Sequence, residues 1–273
     1  MATAGPASRG LNRDMIKMVA MLTMLVNHAA SALLPEGTLL QEILRDIGYF
    51  TAPVMCCFLV EGYRYTRSLK AYGTRLLIFA VLSQLPYQLA LSPGGLWDFR
   101  GFNMMVSLLL CLLIIVINKQ VADRHARLVL IILCIVLGCY CDWSISAALY
   151  VLLFLYYEND AAGRLKAFSF GAAIIFVEHT LMKWDVLVTA GRQAAAMSLS
   201  QEAAPGLLTY LPEALLSGIG AAIMPLLAGF VMVSAYNGQR AACSPRMRQV
   251  LKWGFYIFYP AHLLVLGLMR FAA

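Results

Sequence analysis

The chain has 273 residues, 61% of them hydrophobic and only 13% charged, with a mean hydropathy of +0.75 and a formal net charge of +7. This composition lies far from the soluble average and excludes an ordinary soluble enzyme or a disordered chain. The cations sit in short connections between apolar runs, a distribution that signals membrane topology and no nucleic-acid partner.

Residues 1–14 form a small basic tail with Arg9 and Arg13. The first apolar run, Met15 to Leu34, has the roughly 20 residues needed to cross a hydrocarbon core of about 30 Å. Asn27 and His28 lie well inside it, and Asp14, Lys17, Met21, Met24, His28 and Ser31 share one helical face. An ionisable group at that depth is costly, so it faces a bundle interior, a polar cavity or a reaction site. A neutral histidine bonded to a neighbouring helix is the structural alternative. The basic start and Ala30-Ser31-Ala32 also resemble a signal peptide with its cleavage site, which would remove His28.

Further spans are expected at about 47–63, 76–91, 102–117, 128–141, 144–157, 167–182, 215–235 and 251–269. The chain is thus an all-α, polytopic transmembrane bundle of about nine spans, with residues 15–273 as one domain after the tail. Residues 183–212 form the longest and least hydrophobic connection. Of the 21 Lys and Arg residues, sixteen fall in the tail and the alternate connections that share its side, and five on the other. By the positive-inside rule the N-terminus is cytoplasmic and the C-terminus outside. The seven cysteines mostly lie within apolar runs and suggest neither a disulfide framework nor a metal site, although Cys139, Cys141 and Asp142 are close in sequence.

Other polar residues interrupt the apolar runs. His262 lies near the middle of the last span, where it could meet His28, and Pro260 frees a backbone carbonyl near Tyr256 to which His262 could bond instead. Glu61 precedes the basic run Arg64, Arg67, Lys70 and Arg75. It could pair with Arg64 or Tyr65 along the helix, while the cations either set topology or hold a polyphosphate. Gln84 and Asn103 lie toward the outer side and could bond across helices. Glu178 and His179 are adjacent, so they point about 100° apart and at most one faces a given site.

The ordered segments LTMLVNHAA, EGYRYTR, SQLPYQLAL, NMMVSLLLCLL, DWSISAALYVLLFLYY and FYIFYPAHLL resemble the TraX family, from about Asp14 to His262. That family is known for the conjugative pilin acetylase and is similar to integral-membrane acyltransferases. The resemblance implies transfer of acetyl from cytoplasmic acetyl-CoA, without a metal, to an acceptor such as a pilin-like peptide or a glycan. It implies a multi-pass protein of the bacterial cytoplasmic membrane, in contact with lipid, and retention of the first span. It points to His28 and His262 as catalytic residues, with Asn27 beside the first, and to Glu61, Arg64 and Arg67, extended by Lys70 and Arg75, at the coenzyme A phosphates. Asn27 stands where an acidic residue is common, and Ser107 where threonine is usual.

The chemistry is coherent. An amine acceptor must lose a proton to attack a thioester, and a desolvated histidine is biased toward the neutral form that accepts one. The same histidine could instead become an acetyl-histidine nucleophile. Asn103, Tyr259 or Gln84 could donate to the thioester oxyanion, and Asp142 is a further candidate. Midplane histidines also suit a proton-coupled transporter or channel, and a non-catalytic scaffold for pilus assembly would leave His28 dispensable.

Overall fold

The computed structural model describes residues 10–92, 94, 98–157, 160–197 and 206–272, and those residues are helical apart from short connections. Arg9 and the rest of 1–9 lie outside them. The helices are α1 (Arg13–Leu33), α2 (Leu39–Ile47), α3 (Thr51–Tyr65), α4 (Leu69–Leu91), α5 (Met104–Gln120), α6 (Arg124–Gly138), α7 (Ser144–Tyr156), α8 (Ala161–Met197), α9 (Leu211–Ser234) and α10 (Pro245–Ala272). All nine expected spans are helices. Six stretches are long and apolar enough to cross a membrane: Arg13–Leu33, Leu39–Tyr65, Leu69–Leu91, Ala161–Gln193, Leu208–Ser234 and Pro245–Ala272. The chain is a multi-pass membrane protein. Helices α5, α6 and α7 have 17, 15 and 13 residues, so at 1.5 Å per residue they fall short of about 30 Å.

Side-chain caps start the helices, and those at Ser68 and Asp123 open α4 and α6 earlier than the expected spans near residues 76 and 128. Asn12 accepts from the amides of Asp14 and Met15, Ser68 from Ala71, Asn103 from Met105 and Asp123 from Ala126. Several expected connections prove wholly or partly helical: α4 begins at Leu69, so Lys70 and Arg75 lie on it, and α10 begins at Pro245. Thr38 caps α2, and a 3-10 turn at Gly48–Phe50 carries it into α3, so the second span begins at Leu39 rather than near residue 47. Helix α8 runs on past Met182 because no proline interrupts it. Beyond that point Lys183 bonds Glu42 of α2 at 2.7 Å and Glu213 of α9 at 3.4 Å.

Helices α8 and α9 form a long antiparallel pair, built on small residues of α9. Gly218, Ala221, Ala222, Pro225, Ala228 and Gly229 are buried there, and small side chains let helices approach closely where lipid supplies no hydrophobic drive. A Cβ added to Gly218 would stand 2.1 Å from Thr180 Oγ1 of α8. Helix α10 packs along α4 and α1.

Short backbone bridges tie the two ends of the bundle. At one end, Leu11 pairs with Tyr236, and the Arg13 amide donates to Gln239 O at 2.8 Å. At the other, Phe102 pairs with Cys141, joining the α4–α5 and α6–α7 connections. Cys139 and Cys141 lie in this second bridge region, each Sγ directed to a carbonyl one turn back in its own chain.

Candidate functional site: a histidine pair above a cation-lined cavity

His28 of α1 and His262 of α10 meet inside the bundle, each less than a tenth exposed. His28 Nδ1 stands 2.8 Å from His262 Nε2, and the rings lie parallel with centroids 5.1 Å apart. His262 Nδ1 is 2.8 Å from Phe258 O. The carbonyl used is therefore Phe258, four residues back, and not the one near Tyr256 that Pro260 frees. A ring nitrogen one turn further along a helix from a carbonyl reaches it with little strain.

These contacts assign the tautomers of a neutral pair. A carbonyl only accepts, so His262 Nδ1 carries the proton that Phe258 receives. His262 Nε2 is then the acceptor, and His28 Nδ1 donates to it. The remaining nitrogen, His28 Nε2, carries a lone pair and has no hydrogen bond among the described residues. A basic nitrogen held in this way is the arrangement a general base or nucleophile requires.

Tyr259 contacts both imidazoles edge-on, with centroids 6.2 Å from His28 and 5.7 Å from His262. Its hydroxyl accepts the Met104 amide at 3.1 Å, at the start of α5, and its own proton has no acceptor among the described residues. Tyr259 also lines a cavity of about 940 Å³. Met24, one turn before His28, lines it as well, with Met21, Met55, Met104 and Met105.

Toward the other end the cavity wall is cationic: Arg13, Lys17, Arg67, Arg75, Arg240, Arg248 and Lys252 all line it. Arg13 Nε and Arg75 Nε are buried without a hydrogen-bond partner among the described residues. The Lys17 ammonium rests over the rings of Phe58 and Phe255, at 5.8 and 5.2 Å from their centroids, and forms no ion pair among the described residues. Arg13 gives one terminal nitrogen to Phe58 O at 3.1 Å, and the two orphaned Nε donors beside a cationic wall fit an anionic ligand. The acids on this wall are otherwise engaged. Asp14 accepts the Ala241 amide at 2.9 Å, and Glu61 accepts the Tyr236 hydroxyl at 2.8 and 2.9 Å. Burial, reinforced by the Glu61 carboxylate, pushes the Tyr236 phenol up from its ordinary range and keeps it a donor.

The sequence-derived candidates separate clearly. Glu61, Arg67 and Arg75 line the cavity with Tyr259, whereas Arg64 and Lys70 are exposed and absent from its wall. Glu61 pairs with Tyr236, a partner distant in sequence. Asn27 turns from the histidine pair and donates to Arg45 O at 2.6 Å, joining α1 to α2. Asn103 donates to Ala80 O and Gln84 Oε1, both at 2.8 Å, and Gln84 donates to Gly101 O at 2.8 Å. Those two amides spend their groups holding the α4–α5 connection. Asp142 accepts the Tyr87 hydroxyl at 3.2 Å; burial pushes its carboxyl up, against the opposing pull of Arg100 and Tyr87. Sequence reasoning missed Arg13, Lys17, Arg240, Arg248 and Lys252 as one wall. Lys17 shares a helical face with His28, which was the available signal.

Fold and site together define a class: a multi-pass helical membrane protein whose buried histidine pair stands beside a deep cation-lined cavity. The family model described as TraX protein matches residues 12–270, and the chain belongs to that family. It is 28% identical over 257 residues to the probable fimbrial assembly protein FimC, serogroup H1, of Dichelobacter nodosus, a match covering 92% of each chain. No solved structure matches the chain significantly.

Proposed function

We propose that the chain is an integral-membrane acyltransferase that moves acetyl from cytoplasmic acetyl-CoA to an amine or hydroxyl acceptor in the assembly of a pilus or fimbria. The observation that carries this reading is the cavity with cations along one end and Tyr259 at the other; neither histidine lines it, but Tyr259 contacts both imidazoles. From Lys17 to His28, α1 rises about 16 Å. An extended pantetheine arm has about that reach, so phosphates held near Arg13, Lys17 and Arg75 would bring a thioester to the level of His28. Support for the assembly context comes from the relative's name.

In the reaction, His28 Nε2 removes the proton of the acceptor as its nitrogen or oxygen attacks the thioester carbonyl. Tyr259 donates its free proton in a hydrogen bond to the oxyanion. The C–S bond breaks, the acetyl group stays on the acceptor, and the thiolate takes the proton back from the imidazolium as coenzyme A. His262 touches none of the reacting atoms and acts as a positioning residue, holding the tautomer of His28.

The test is transfer of labelled acetyl from acetyl-CoA into the protein, lipid and glycan fractions of membranes carrying the purified chain. Label should enter one fraction and depend on His28. The relative's name also favours a second reading, a non-catalytic assembly scaffold. Normal pilus assembly with a His28→Ala chain, and no transfer by the wild type, would establish that reading instead.

A further inference from the structure

A second cavity, of about 800 Å³, lies between α7 and α8. Leu153, Tyr156, Phe170, Ile174 and Val177 form its apolar walls, and the small side chain of Ala173 leaves it open on α8. Tyr156, Phe170 and Val177 are themselves exposed, so the groove faces the bilayer that surrounds a protein of this class.

The one acidic lining residue, Glu178, lies at one end, where the Ser146 hydroxyl donates to its carboxylate, and the phenols of Tyr156 and Tyr157 line the other end. Glu178 forms no ion pair among the described residues. Lys183, five residues further along α8, is held by Glu42 and Glu213. His179 sets its ring 4.8 Å from that of Tyr49, away from this groove's lining. A carboxylate at the head of a lipid-facing apolar groove, met by one hydroxyl and by no cation among the described residues, is costly, and a cationic partner offsets that cost.

We propose that this groove binds one acyl chain of an amine-bearing phospholipid, with the head-group ammonium on Glu178 and the chain running toward Tyr156. Between Ile145 and Tyr156, α7 rises about 16 Å, close to the hydrocarbon depth of a single leaflet. An anionic phospholipid offers the same chain but sets negative charge against Glu178. The site shares no lining residue with the cation-lined cavity, so it stands independently of the acyltransferase reading.

Photoactivatable phosphatidylethanolamine and phosphatidylglycerol probes with identical chains test it, on the full chain in nanodiscs. The amine lipid should label α7 and α8 peptides about fivefold more than the anionic lipid, the factor expected of one interfacial charge contact. Glu178→Gln should bring that ratio to about one. Ala173→Trp, which fills the groove, should lower labelling by both probes while leaving Tm unchanged. Equal labelling of the wild type by the two probes would overturn the proposal, as would undiminished α7 and α8 labelling of a folded Ala173→Trp chain.

Discussion

His28 receives its chemistry from what surrounds it rather than from its identity. Because His262 accepts from Nδ1, the free nitrogen is Nε2. For a general base, His28→Ala should lower transfer by about 10²–10⁴-fold, measured as kcat with labelled acetyl-CoA, while the variant still inserts. His262→Gln keeps an amide that can accept near the Nε2 position, so it should retain far more activity than His262→Leu. The shape of the pH–rate profile should be kept in the glutamine variant and altered in the leucine one; equal losses with unchanged profiles would leave His262 a packing residue. Tyr259→Phe removes only the hydroxyl, and an oxyanion donor of this kind is worth about 10²–10³ in kcat. At the phosphate end, Lys17→Met and Arg75→Ala should raise KM for acetyl-CoA several-fold. Arg64→Ala, off the cavity wall, should raise it little.

At the scale of helices, small residues set how closely the elements approach. A Cβ on Gly48 would lie 2.2 Å from Asn27 Cβ, at the joint where the α2–α3 bend meets α1. The neighbour is the root of a side chain and cannot swing aside, so Gly48→Ala should cost about 1–3 kcal/mol, the usual range for overpacking. A lower Tm in detergent would register it. Since Asn27 also donates to Arg45 O, Asn27→Leu should loosen the same joint and reduce activity only through stability. A fall in kcat with unchanged Tm would return Asn27 to the catalytic group. The α8–α9 pair is a second such contact. Gly218→Leu would drive a side chain into Thr180 and Phe176 and should separate the helices.

For the whole molecule, the ends of the bundle have different characters. Arg13, Arg67, Arg75, Arg240, Arg248 and Lys252 gather at the cavity, on the side the charge distribution marks as cytoplasmic. In a cysteine-free background, Arg248→Cys should react with an impermeant maleimide only after the cells are opened. Arg192→Cys, near the far end of α8, should react in intact cells. The reverse pattern would place the cavity on the outer side and remove cytoplasmic acetyl-CoA as its ligand. The sequence by itself determined the helical membrane class, the approximate positions of nine apolar segments and the two histidines worth watching. Each follows from local hydropathy and the cost of burying an ionisable group. Boundaries at α2 and α8 were not legible, because polar residues such as Glu42 and Lys183 read as loop until their partners on other helices are known. Only the tertiary structure decided that His28 and His262 share a proton-bearing contact, that Asn27 and Asn103 are spent on backbone carbonyls, and that Lys17 joins Arg75 and Lys252 in one wall. Those facts depend on which face each helix turns to its neighbour, and packing between residues more than two hundred positions apart sets that rotation.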